Sequence, residues 1–453
     1  MTYDPMPHQI EDSDELLKYR HGLLFADAGT GKTYTVLEAF RKGKYTHILV
    51  VAPKIALTMW KKELLKHTTC KAVCEVRNST MSAKKARMLQ EADAIVVTYD
   101  VARNPTISNH LKRWSFGHSR NGVVCAALDE SDRVRSVTAK RAVALLGPAF
   151  DGEYSPLAAV EDVWFMTGDP VKRHVDDLFT QLRFARPHIL RHYNVDTYEK
   201  FVNEFCIVQY KKYHPRQVSA KKVITGSKNL DKLNELLDAC RVIRRKLTDV
   251  WKDMPPYSER ILNPDLADKL PTGLVKGMTD GQLAAALADP NSELAKMRKL
   301  VGMAKVEAVS MYVNDQRIGN VLIGCWHRDV MDFYEETLRD MDHEAVIAQV
   351  HGGVPTKQRD QIQQDFNNGT IDFLIGQMGA MEVSWNLQDH CRHIVIAEEL
   401  PSPGMDNQFI ARVYRAGQQN AVVVDRMTSP HEVDEALTYL RNSKAVVKAK
   451  TGT

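Results

Sequence analysis

The 453-residue chain contains no run of about 18 apolar residues, which excludes a membrane-spanning helix from the reading. Its opening residues, MTYDPMPHQIEDSDELL, lack the apolar core of a secretory signal. Cysteine is sparse: seven, an odd number, scattered along the chain. That argues against a disulfide framework. Cys70 and Cys74 lie four apart, but no second Cys/His pair stands nearby to complete a zinc site. Free thiols in a reducing compartment are expected. No short-period repeat or low-complexity tract is present. Neither sign of charge dominates, with 61 Lys and Arg against 57 Asp and Glu and a net charge of +4. Composition alone therefore carries no argument for a polyanionic partner.

What is present is ordinary globular composition, 44% hydrophobic and 26% charged, in a chain too long for one core. Two or three domains are expected. Short apolar runs alternate with amphipathic stretches from Leu23 to about Thr180: GLLFA, HILVVAP, AIVVTYD, VVCAALDE and VWFMTGD. This is the rhythm of a parallel sheet with crossover helices. It resumes with NVLIGCW, AVIAQVHG, IDFLIGQ, HIVIAEE and AVVVDRM. The stretch between, from about Tyr198 to Val313, reads as mostly helical. The predicted class is α/β, with two parallel-sheet lobes and helical insertions. The predicted bounds are residues 1–250 for lobe one (with a helical insertion at about 190–240), 251–315 for a linker and helical protrusion, and 316–453 for lobe two. Pro255-Pro256 marks a plausible boundary. A basic run, Lys211 to Lys222, carries five basic residues and no acid. It reads either as a solvated loop or as a contact for a phosphate backbone.

One short stretch carries chemistry directly. FADAGTGKTYTV places Ala26, four residues, then Gly31-Lys32-Thr33 between a strand-like and a helix-like run. This is the phosphate-binding loop pattern with Ala for the first Gly, in the context it requires. Ala28, Gly29, Thr30 and Gly31 would supply backbone N–H groups, and the helix N-terminus favours the anion. Lys32 would reach the β and γ phosphates, and Thr33 would ligate Mg²⁺. About 100 residues on, CAALDESD ends an apolar run in Asp129-Glu130. Behind such a loop, Asp129 suits Mg²⁺ and Glu130 suits activation of a water. Without it, a solvated strand end would be the commoner explanation. In DNQFIARVYRAGQ, Gln408, Arg412, Arg415 and Gln418 stand at offsets 0, 4, 7 and 10, which fall on one face of a helix. The plain reading is a surface stripe. The functional one is a pair of arginine fingers at Arg412 and Arg415, working with Lys32 and Glu130.

Together these segments resemble the SNF2 branch of the superfamily 2 helicase-like ATPases, over nearly the whole chain. MPHQ, with Gln9, resembles the adenine-reading motif. VVAPKIALTMWKKEL, with Pro53, Trp60 and Glu63, AIVVTYD, LDESD, MTGDP, DDLFTQLRFARP, RVIRRKLTDVWKDMPP, GCWHRDVMDFYEETL, HGGVPTKQRDQIQQDF and QFIARVYRAGQ follow in the family's order. GMAKVEAVSMYV and IAEELPSPGMDNQ are similar to the annealing-helicase branch. Two departures stand out: Asp169 where the family has Thr, and Met381-Glu382 where it has two glycines.

The resemblance implies an enzyme that uses ATP and Mg²⁺ and tracks duplex or branched DNA without necessarily separating its strands. A role in repair, recombination or replication falls within it. Thr167, Gly168, Gln408 and Gln418 would couple the motifs. Lys54, Thr98, Lys211, Lys212, Lys221, Lys222, His327 and Arg328 would meet DNA. The bare motor suits a bacterial or phage protein, cytoplasmic in such a cell and nuclear in a eukaryotic one. Two other readings remain: an RNA helicase, and a nucleotide-gated DNA-binding scaffold with weak turnover.

Overall fold

In a computed structural model of the chain, the structure describes residues 5–120, 122–151, 153–211, 221–267, 269–381 and 385–452. It divides into two compact units, Met1–Val250 with Val447–Thr453, and Trp251–Val446. Each is described by itself.

The first unit is built on six strands in succession: β1 (Gly22–Ala26), β2 (His47–Ala52), β3 (Val73–Val76), β4 (Ala94–Thr98), β5 (Val124–Asp129) and β6 (Asp162–Thr167). A hairpin of β7 (Cys206–Lys211) and β8 (Lys221–Ser227) follows, and then β9 (Ile243–Arg245). All but the hairpin form one parallel sheet in the order β3-β4-β2-β5-β6-β1-β9. β1, β4 and β5 are buried along their whole length, because crossover helices cover both faces. That is why they read as unbroken apolar runs rather than alternating ones. Trp114, Phe165, Phe201 and Phe205 fill one core on this sheet, each essentially inaccessible.

The hairpin corrects the helical reading of the stretch after Tyr198. β7 and β8 pair antiparallel from Cys206–Ser227 to Lys211–Lys221 across a bulge at Ile207/Val208. β-branched Val208, Val223 and Ile224 suit strands, and the flanking basic residues hid that signal in a run scored for charge. The basic run is thus partly strand. Lys212 lies outside the described residues, as does Glu382. For Lys211 and Lys221 only the backbone is described.

The second unit carries β10 (Tyr257–Leu262), β11 (Val321–Cys325), β12 (Ile347–Val350), β13 (Phe373–Gln377), β14 (His393–Ile396) and β15 (Val422–Met427). They form a parallel sheet in the order β10-β15-β14-β11-β13-β12. β10, YSERIL, is largely exposed, and it too lies in the stretch read as helical. It is an edge strand held by its ladder to β15 rather than by burial.

GMAKVEAVSMYV takes its form from two close approaches in this unit. A Cβ at Gly302 would stand 2.8 Å from Glu398 Oε1, so any side chain there would have to displace that carboxylate. Lys305, with no exposed surface, donates to Met427 O at 2.7 Å and to Asp434 Oδ2 at 2.9 Å. Asp434 also accepts from Ser429 N and Oγ, each at 2.8 Å. Removing one member of a buried pair leaves the other charge uncompensated. Lys305→Met is therefore expected to destabilise the second unit by about 3–5 kcal/mol. Urea unfolding of the full chain measures this, and a loss below about 1 kcal/mol would contradict the pairing.

Candidate active site

A parallel sheet with crossover helices directs the carboxyl ends of its strands to one edge, where ligands gather. In the first unit that edge collects the loop after β1 (Asp27–Gly31), the ends of β4 at Thr98 and β5 at Asp129, and the end of β6 at Thr167. Lys54 stands exposed in the turn after β2. These residues are scattered through the chain, and the topology brings them to one side.

The loop after β1 has the left-handed geometry that its glycines permit, with φ of 86° at Gly29 and 80° at Gly31. Gly31 caps the helix Lys32–Lys42, so the first N–H groups of that helix face the loop. Lys32 Nζ donates to Ala26 O at 2.7 Å and Asp27 O at 3.1 Å, which holds the ammonium inside the loop. Gln9 is buried against the same loop. A Cβ on Gly31 would stand 2.2 Å from Gln9 Nε2, and Gln9 Oε1 accepts from Met6 N at 2.9 Å. His8 reaches Thr30 O at 2.8 Å. Thr33 is half-buried in the first turn of the helix.

Asp129 ends β5 with its Oδ2 taking a hydrogen bond from Trp60 Nε1 at 2.8 Å. Tyr99 Oη donates to Asp129 O at 2.8 Å. These two contacts explain why the segments with Trp60 and Tyr99 belong to the site. Glu130 sits in the left-handed region at φ 51°, ψ 56°, a conformation costly for a side chain with a Cβ. Its Oε2 is buried without a hydrogen-bond partner among the described residues. Burial pushes its carboxyl up to about 7, with Lys32 pulling the other way and Asp129 and Asp132 adding to the rise. Burial also raises Asp129.

Asp132 joins this segment to the one after β6. It pairs with Lys172 at 2.9 Å and Arg135 at 3.4 Å, and Thr167 Oγ1 donates to its Oδ1 at 3.5 Å. Thr167 Oγ1 in turn accepts from Asp169 N at 3.1 Å. A Cβ on Gly168 would stand 3.3 Å from Ala26 O and 3.6 Å from Lys32 Nζ. Gly168 thus lies against the loop itself. Lys172 had no sequence signal of its own, although the acid it serves was visible in DESD. Thr98 is buried and accepts from Val101 N at 3.1 Å, capping the helix Tyr99–Ala102.

In the second unit the reading of one helical face from Gln408 to Gln418 is corrected. The helix Pro403–Ile410 ends before either arginine. Tertiary hydrogen bonds take over there: Arg412 O accepts from Leu387 N at 2.8 Å, and Gln418 Nε2 donates to Cys391 O at 3.0 Å. Arg412 Nε donates to Gln408 O at 2.9 Å. Arg415 Nη1 donates to Trp385 O at 3.0 Å and to Asn386 Oδ1. Helix Pro403–Ile410 is itself anchored by Asp406, which Arg426 Nη1 reaches at 2.9 Å. Met381 is fully buried, and a Cβ on Gly376 would stand 2.1 Å from its sulfur. The methionine fills space over β13 that a glycine would leave open.

After β11, Trp326, His327 and Arg328 form a short segment at the carboxyl edge of the second sheet. Glu398, almost inaccessible, accepts from Trp326 N at 2.7 Å, His327 N at 2.9 Å and His327 Nδ1 at 2.7 Å. Arg328 is exposed beside it. No sequence signal marked Glu398 as the residue that holds this segment.

The SNF2-related domain model matches residues 14–270, and the helicase conserved C-terminal domain model matches residues 304–417. The chain belongs to the SNF2-related family: it is a helicase-like ATPase of superfamily 2. Its relatives include the CHD3-type chromatin-remodeling factor PICKLE of Arabidopsis thaliana, 21% identical over 98% of this chain and 34% of that protein. The SNF2 domain-containing protein ENL1 of Oryza sativa subsp. japonica is 21% identical over 94% of this chain and 49% of that one. The chain thus spans a third to a half of these relatives. A solved structure, the Sulfolobus solfataricus SWI2/SNF2 ATPase core in complex with dsDNA, is 17% identical, with a TM-score of 0.42 over 100% of this chain and 94% of that one.

The buried Glu130 carboxyl makes a stability prediction with a definite sign. Its folded value of about 7 lies above the ordinary 4.5, so the folded state holds the proton more tightly. The stability this contributes is present below about pH 4.5 and is lost as pH rises through 7. Glu130→Gln removes the ionisation, so at pH 8 the variant is expected to melt higher than the parent chain. The gap should close toward pH 5. Thermal unfolding at both pH values checks this, and an equal gap at the two would contradict it.

Proposed function

We propose that the chain is a DNA-dependent ATPase that translocates on duplex or branched DNA. The observation that carries the reading is the edge of the first sheet, where a glycine loop around Lys32 and a buried Glu130 carboxylate lie together. Backbone N–H groups of Ala28, Gly29, Thr30 and Gly31, with Lys32, would bind the phosphates, and Gln9 the adenine. Glu130 would take the proton of the attacking water, and its unpartnered Oε2 leaves an acceptor for it. Thr33 and Asp129 fit Mg²⁺ as hydroxyl and carboxylate donors on one edge. When bound, Mg²⁺ neutralises charge on the phosphate oxygens. Arg412 and Arg415 would stabilise charge on the transferred phosphoryl group. Thr167, Gly168, Gln408 and Gln418 would relay the nucleotide state.

DNA would be held chiefly through its phosphates, by Lys54, Lys211, Lys212, Lys221, Lys222, His327 and Arg328, with Thr98 at the same edge. Such binding is largely blind to sequence. A role in repair, recombination or replication belongs to this proposal, as does the annealing-helicase branch. The packing of Met381 over β13 favours a second reading, a nucleotide-gated DNA scaffold with weak turnover.

Mutation separates binding from turnover. Lys32→Ala should abolish hydrolysis. Glu130→Gln should bind ATP and Mg²⁺ yet not hydrolyse. Arg415→Ala should keep near-normal ATP affinity and lose turnover by on the order of 10³-fold or more. Retained turnover in these variants would refute the assigned roles, and nucleotide-dependent DNA binding without turnover in the parent chain would select the scaffold.

Duplex affinity should fall steeply with salt, because each phosphate contact releases counterions. Replacing Lys211, Lys212, Lys221 and Lys222 with Gln should flatten the slope of log affinity against log salt by about 3 to 4. Binding isotherms at several salt concentrations measure it. An unchanged slope would return the basic run to solvent.

A further inference from the structure

The amino-terminal edge of the first sheet, opposite the nucleotide loop, carries a feature the ATPase chemistry does not use. A cavity of about 580 Å³ opens there beside the entries to β1 and β9. This is within the usual size of small-molecule sites, roughly 300–1,000 Å³. Its apolar wall includes Tyr19, Phe184, Pro187 and Ile189. Its charged groups are Arg20, Arg186 and Arg241, against the single acid Asp151.

Arg186 is the centre of the argument. It is only 4% exposed, and no carboxylate bonds to it. Its Nη1 donates to Arg20 O at 2.9 Å, His21 O at 2.8 Å and Ala185 O at 2.8 Å. That accounts for one nitrogen as a cap on the chain entering β1. Nε is sealed without an acceptor, and Nη2 donates to nothing among the described residues while keeping solvent access. The guanidinium carbon stands 5.3 Å from the Tyr19 ring centroid. Glu15 and Asp162 act on it only through space. A buried guanidinium with no hydrogen-bonded carboxylate is expensive, and a bound anion would compensate it.

The surroundings agree. Arg20 and Arg241 add two exposed cations at the rim, and Asp151 is the one acid among the lining residues. His21 and Arg241 both adopt left-handed backbone, at φ 64° and 55°, which directs chain into this rim at a conformational cost. Burial, then the charges of Arg20 and Arg186, push the His21 imidazole down to about 3. The ring is therefore neutral, and its Nδ1 accepts from Val163 N at 3.1 Å. A structural role for Arg186 alone explains neither the open Nη2 nor the two further arginines.

We propose that this cavity binds a small organic anion, with a carboxylate or phosphate head against Arg186, Arg20 and Arg241 and a ring or aliphatic body against Phe184 and Ile189. The proposal stands apart from the nucleotide site and from the ATPase reading.

Phenyl phosphate and benzoate are the probes, titrated into the full chain by calorimetry, with phenol and inorganic phosphate as controls that carry only the ring or only the charge. One or both ring anions should bind saturably, at least tenfold tighter than either control. The rim variant Arg20→Gln/Arg241→Gln should bind at least tenfold more weakly while melting at the same temperature without ligand. Lys32→Ala, which alters the phosphate loop, should leave the affinity unchanged. The proposal is overturned if neither ring anion binds saturably. It is equally overturned if Lys32→Ala removes the binding and the rim variant keeps it.

Discussion

Glu130 is held in a conformation and an environment that folding alone would not choose. Its backbone is left-handed, its carboxyl is buried beside Asp129, and its Oε2 has no donor among the described residues. Each of these costs free energy, and the surrounding sheet has to supply it. The long buried strands do so, with β5 packed between β2 and β6 and capped by Trp60 and Tyr99 at Asp129. The same edge then receives the glycine loop and Gly168, so Lys32 lies close enough to Glu130 to pull against the rise in its pKa. Strain, charge and topology converge on one place.

The second unit solves a similar problem differently. Its two arginines after helix Pro403–Ile410 are held by main-chain carbonyls, Arg412 on Gln408 O and Arg415 on Trp385 O, the latter also on Asn386 Oδ1. Carbonyl oxygens orient a guanidinium through its N–H donors, which fixes its direction in the fold. Buried acid–base clusters serve elsewhere in that unit, at Lys305–Asp434 and at Arg426–Asp406, where they tie helices to strands.

How much of this was legible in the sequence depended on burial. β1, β4 and β5 are covered on both faces, so they are apolar up to the polar residues that end β4 and β5 at the site, and the class and the loop at Lys32 followed from them. β10 escaped because an edge strand is specified by its ladder, and YSERIL carries no apolar pattern. The β7–β8 hairpin escaped because a charge run masked its β-branched residues. Helical spacing misled at Arg412 and Arg415, where contacts with Leu387 and Trp385, distant in sequence, end the helix at Ile410. Lys172 and Glu398 were illegible for the same reason: each acts through a partner more than 30 residues away.

The measurement that bears most directly on the account is the rate of ATP turnover with duplex DNA, forked DNA, single-stranded DNA and RNA, side by side at one salt concentration. The account predicts the largest stimulation by duplex or forked DNA and little by RNA. Stimulation by RNA exceeding that by any DNA would contradict it, and so would a turnover rate that no nucleic acid changes.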